Sequence, residues 1–171
     1  MRALGWLCAG WLVCALAGPA AADAPPLTAS PNLAPSEGSA QLLIDLYGPR
    51  ATAEIGRLRV NLERNVFVVF DAGVGYIQCK PQTGPDAIYC EAQSAESWPA
   101  LASVLTPERL AQLHAAGYAD PGRAQNFAKT YPLDNYDDAA IAREVITLLH
   151  DAYGYNGAEQ LTIKTEAGRE P

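Results

Sequence analysis

The chain predicts an α+β domain: a small antiparallel β-meander with helices packed on it. Three observations carry this. Residues 57–63 alternate polar and apolar and run into Val66-Phe67-Val68-Val69-Phe70, a β-branched and aromatic stretch of the kind strands favour. Two further β-rich segments, 74–80 and 87–93, each hold one cysteine and are separated by turn residues. Residues 106–117 and 135–154 repeat apolar side chains every three or four positions between helix start and stop signals, as amphipathic helices do.

At the N-terminus, Met1-Arg2 opens an apolar run to Ala17 that is closed by Gly18-Pro19 and the small residues Ala20-Ala21-Ala22. That order is the architecture of a cleaved secretory signal, residues 1–22, and places the mature protein in the periplasm or outside the cell. A membrane anchor would need roughly 20 apolar residues and no such closing site. Lipidation at Cys8 or Cys14 would need small residues where Leu7 and Val13 stand. No later stretch is apolar for long enough to cross a bilayer, so no span is expected after processing. Residues 23–38 hold four prolines and few large apolar groups, too little to offset chain entropy, and are expected to be a disordered lead-in. Residues 39–166 then form a single domain, and 167–171 a tail.

Ser39 is placed to cap a helix through Leu43, Ile44 and Tyr47 that stops at Gly48-Pro49. The alternation at 57–63 predicts the first strand, with Arg64-Asn65 turning into the second. Asp71-Ala72-Gly73 and 82–86 supply the next two turns, so four strands follow one another as a meander. If the last turn is centred near Gly84-Pro85, Cys79 and Cys90 fall opposite or nearly opposite each other. They are the only cysteines left after processing, and an oxidising compartment predicts a disulfide between them. Zinc ligation is the rival, but two cysteines with no histidine beside them make a poor site. No metal and no cofactor are expected.

Thr106, Pro107 and Glu108 form a helix start, Leu110, Leu113 and Ala116 its inward stripe, and Gly117 its stop. Residues 118–134 show no period; at this length they predict a functional loop or an undetected element. Asn135 caps the final helix, with Asp137 and Asp138 in its first turn, Ile141, Val145, Leu148, Leu149 and Ala152 on one face and Gly154 at its end. Leu161-Thr162-Ile163-Lys164 adds a short strand.

The chain carries 12 Lys and Arg against 19 Asp and Glu, a formal charge of −7, and loss of the signal removes only Arg2. Without a basic cluster, nucleic acid is excluded as a partner. His114 and His150 lie on helices with no nucleophile or orienting carboxylate implied by the sequence, and Asp137-Asp138 reads as helix capping. There is no phosphate-cradling loop, nucleophile elbow or calcium loop. Tyr118, Asn126, Phe127, Tyr131 and Tyr136, in or beside the irregular segment, are the candidate partner-binding residues, since aromatics on loops are frequent anchors. The alternative, which their large area favours, is that the aromatics plug the edge of the core.

The order of elements, carried by Tyr76-Ile77-Gln78, Tyr89-Cys90-Glu91, Leu105-Thr106-Pro107-Glu108, Leu113, Gly117-Tyr118, Pro121, Asn126-Phe127 and 148–154, resembles the type III secretion chaperone-like superfamily, and within it the YbjN group, over residues 39–155. The resemblance implies a twisted antiparallel sheet with helices on it, often in a homodimer, that binds peptides or partly folded proteins and catalyses nothing. Export departs from the cytosolic habit of that group; what carries over is the fold and a peptide-binding surface. The expected function is therefore an exported, non-catalytic peptide- or protein-binding module. The alternative is a small exported hydrolase, or a hydrolase inhibitor, working through residues 118–134.

Overall fold

Leu43, Ala51, Ile55 and Leu58 recur at helical spacing, and all four side chains are buried. They belong to one helix, α1 (Glu37–Arg59), which runs straight through Gly48-Pro49. This corrects two expectations: the helix does not stop at proline, and residues 57–63 are its last turn and the loop beyond it, not a strand. Pro49 removes one intrahelical hydrogen bond, but the inward stripe continues on both sides of it, and burial of that stripe outweighs a local breaker. The apparent alternation is an accident of composition, for Leu58 is buried while Val60 is 79% exposed. The computed structural model describes residues 37–167 apart from 83, 85, 123 and 124. The expected signal, the lead-in up to 36 and the tail from 168 lie outside the described residues, whereas Glu37 and Gly38 belong to α1 and Ala167 to the last strand.

Strands β1 (Val66–Asp71), β2 (Tyr76–Gln82) and β3 (Ala87–Ala92) form the expected meander. A 3-10 turn, Pro99–Ser103, leads to α2 (Pro107–Ala115). Then come β4 (Phe127–Pro132), α3 (Asp138–Asp151) and β5 (Thr162–Ala167). The sheet order is β4-β3-β2-β1-β5, with every pairing antiparallel. Hence the fourth strand is β4, inside the segment read as irregular, and β5 closes the other edge against β1.

Local chemistry explains the joins. Gly73 has φ +75°, and the Ala72 amide donates to the Gly75 carbonyl at 3.0 Å, so a two-residue turn with glycine first links β1 to β2. Gly75 has no room for a side chain, because a Cβ there would overlap the Tyr153 ring. Pro81, in the middle strand, has no N–H to give; the β1–β2 ladder ends at Val68–Cys79, and the Val66 amide turns instead to the Arg64 carbonyl at 2.9 Å. Thr106 and Asp137 cap α2 and α3, accepting from Arg109 and Ala140, so the α3 cap falls two residues beyond the expected Asn135.

Cys79 and Cys90 are directly opposite in the β2–β3 register and form a disulfide, with Cα atoms 4.1 Å apart. The Gln93 amide donates to the Tyr76 carbonyl; counting from that pair, Cys79 and Cys90 occupy a non-hydrogen-bonded site, where facing side chains are closest. All of Val68, Phe70, Ile77, Cys79, Ile88 and Cys90 point to one face, where they join the inward residues of α1 and α3 in one core. α1 also grips the β5 edge: Arg50 donates to the Ile163 carbonyl at 2.8 Å, and the Leu161 amide donates to the Tyr47 hydroxyl at 3.2 Å. No described helix is long and apolar enough to cross a membrane.

Candidate functional site

The five candidate partner-binding residues lie largely inside the protein. Tyr118, Asn126, Phe127 and Tyr131 are buried, and Tyr136 is partly buried against the core. β4 places Phe127 and Tyr131 on the helix-covered face, and an Ala119–Ala128 bridge folds the chain leaving α2 back against β4, which seats Tyr118. Tyr131 meets Tyr136 edge-to-face at 5.1 Å. Asn126 is a structural knot: its Oδ1 accepts from Ser97 Oγ at 2.7 Å and from the Ser94 amide at 3.2 Å, while Ser94 Oγ donates to the Gln125 carbonyl. Gln125 takes a left-handed φ of 62° to present it. The partner-facing reading of these five residues is therefore corrected to the packing one, because the edge strand β4 and the chain beside it turn their aromatics inward.

Between those aromatics sits a pair that sequence reasoning missed. Lys129 lies on the core face of β4, its side chain 10% exposed, and its Nζ donates to Glu144 Oε1 at 2.5 Å and to the Ala116 carbonyl at 2.6 Å. The ammonium also stands 4.3 Å from the centre of the Tyr131 ring. The Tyr131 hydroxyl donates to Glu144 Oε1 at 2.8 Å and lies 3.2 Å from the Tyr118 hydroxyl. Burial, reinforced by the neighbouring phenol and by Glu144, pushes Tyr131 far above the ordinary tyrosine pKa; burial does the same to Tyr118. These groups satisfy one another, linking β4, α2 and α3, as a buried charge pair requires.

Other titratable groups are dispersed. His114 meets Asp120 at 2.8 Å on the surface, His150 meets Asp151 at 2.6 Å, and Asp138 pairs with Arg59 at 2.6 Å. Among the described residues no three His, Cys, Asp or Glu side chains converge as metal ligands.

The opposite face of the sheet is different. Side chains alternate along a strand, so Phe67 and Val69 of β1, Tyr76, Gln78 and Lys80 of β2, Tyr89 and Glu91 of β3, and Lys164 and Glu166 of β5 point away from the helices. None of them is buried and none belongs to the core. Register sets Val69 beside Gln78 and Lys164, and Lys80 beside Tyr89. The Lys80 ammonium stands 5.2 Å from the centre of the Tyr89 ring, and the Tyr89 hydroxyl donates to Glu91 Oε1 at 3.1 Å. Partial burial, then the Glu91 charge, raise the Tyr89 pKa. The result is a half-buried aromatic and aliphatic surface laced with cations and anions, able to hold a ligand by area and paired charge. The cysteines carried the signal for it: with Cys90 facing the core, period 2 sends Tyr89 and Glu91 outward. Comparison with protein-family models, with curated proteins and with solved structures finds no match.

Proposed function

We propose that this chain is an exported, non-catalytic module that binds a protein or peptide on the open face of its sheet. The observation that carries the reading is that, among the described residues, the helices cover one face only, leaving Phe67, Val69, Tyr76 and Tyr89 on the other. Aromatic side chains are enriched at binding surfaces, within a polar rim. The disulfide suits an oxidising compartment, periplasmic or extracellular. The helix, meander and final helix on one sheet face support a fold of the type III secretion chaperone kind, and with it the homodimer that the resemblance implies. A non-catalytic role is supported by the most buried charged pair, Lys129 and Glu144, being held by each other. The hydrolase or inhibitor alternative relied on residues 118–134 as an active loop; the inward packing of Tyr118, Phe127 and Tyr131 favours the binding reading over it.

The test is capture of a partner from the exported fraction of the producing cell, with wild type and with Tyr76→Ser and Tyr89→Ser variants. Both substitutions lie on a solvated face, so the thermal midpoint should move by only a few degrees while capture is lost. Undiminished capture by both variants would reject the open face as the site.

A further inference from the structure

α1 is apolar on two opposite sides. Its inward stripe is buried in the core, but Leu42 and Leu46 are 70% and 67% exposed, and Val60, just past its end, is 79% exposed. With the exposed Pro49 and Ala53 they follow one another at steps of four, three, four and seven, the seam spacing of helix-on-helix packing. A helix with solvent on its outer side should be polar there. Beside the seam, a groove of about 370 Å³ between α1 and α3 is lined by Ile44, Gly48, Pro49, Thr52 and Ala139, with Asp45 on its α1 side and Arg143 on its α3 rim.

We propose that this seam is the docking site for one amphipathic α-helix of a partner polypeptide, with an apolar stripe flanked by Asp or Glu. Heptad spacing selects a helix, since an extended strand would be met by period 2. The strip is one helix wide and roughly 27 Å long at 1.5 Å per residue. That suits a single docked helix and falls well short of the roughly 800 Å² per partner of a standard stable interface, which argues against a second copy. Charge points the same way. In a chain of net charge −7 the seam is bordered by exposed Arg143 and by half-exposed Arg57, 3.7 Å from Glu54. Asp45 is engaged by Gln41 at 2.7 Å. A second copy would bring like charges to this border, whereas an acidic helix complements it. The seam lies on the far side of α1 from the sheet, so it is independent of the open sheet face.

The exported chain, isotope-labelled, is titrated with two synthetic helical peptides of about three heptads. Both carry the same leucine seam, one flanked by Glu and the other by Lys. The expected result is at least ten-fold tighter binding of the Glu-flanked peptide, with amide shifts confined to α1 and the α1–α3 groove. Leu46→Glu should abolish binding, Arg143→Glu should reverse the charge preference, and Tyr76→Ser should leave both unchanged. Leu42→Lys provides a second seam variant should Leu46→Glu perturb the fold. Absence of binding, equal affinity for the two peptides, or shifts on the sheet face would overturn the proposal. So would sedimentation showing a dimer that the seam variants dissociate, which would make the occupant a second copy.

Discussion

Lys129 and Cys79 illustrate opposite ways in which one residue governs this core. The ammonium of Lys129 is tolerated among aromatics because Glu144 and the Ala116 carbonyl accept its hydrogen bonds. Glu144→Leu should therefore destabilise the fold by about 2–4 kcal/mol, leaving a cation without its counter-charge, and adding Lys129→Met should recover most of that loss. Denaturant melts of the two single variants and the double variant measure the coupling; additive losses would mean the pair is not acting as one. Cys79 and Cys90 act instead through the unfolded chain. The disulfide closes a short loop, so replacing both by Ala should cost about 2–3 kcal/mol in that term, with a further loss from packing. Both sulfurs lie in the interior, and thiol labelling of the unfolded, unreduced protein should find neither free.

Among the elements, α1 shows how tertiary packing overrides local signals. Pro49 sits inside the helix, where proline costs about 3 kcal/mol relative to alanine. Part of that is relieved by relaxation of the exposed turn, so Pro49→Ala should raise stability by about 1–3 kcal/mol; an unchanged melting midpoint would show that the helix bends to absorb the ring at no cost. The same override explains what could be read from the sequence. Thr106-Pro107-Glu108, Gly117 and Gly154 mark helix ends through their own backbone chemistry, and the facing cysteines marked the β2–β3 register; these were legible. The continuation of α1 past Pro49 was not, because the stripe that holds it together gains its energy from contacts with α3 and the sheet. β4 escaped notice because Lys129 occupies an inward position between Phe127 and Tyr131, breaking the expected alternation, and its counter-charge lies on α3, far along the chain. The open face was half legible, since Phe67 and Val69 fall in an unbroken apolar run that conceals which side each takes.

At the scale of the whole molecule, one side of the sheet holds the helices and a set of tyrosines whose hydroxyls are enclosed with them. Burial raises Tyr131, Tyr118 and Tyr153 well above the ordinary value of 10.0, and Tyr153 donates to the Gln93 carbonyl at 2.6 Å, fastening the end of α3 to the sheet. Below pH 10 these phenols are neutral in folded and unfolded chains alike, and their hydrogen bonds contribute fully. As pH rises through 10 the unfolded chain releases their protons while the folded chain retains them, so the balance shifts toward unfolding. The fold should thus weaken steadily from about pH 10 upward, losing roughly 1.4 kcal/mol per pH unit for each phenol so held. Phenolate absorbance and circular dichroism followed together would show these hydroxyls ionising in step with loss of structure. Ionisation of all eight tyrosines near pH 10 with the dichroism unchanged would mean that the enclosed cluster opens to water without unfolding, and that the β4–α3 side is looser than its packing implies.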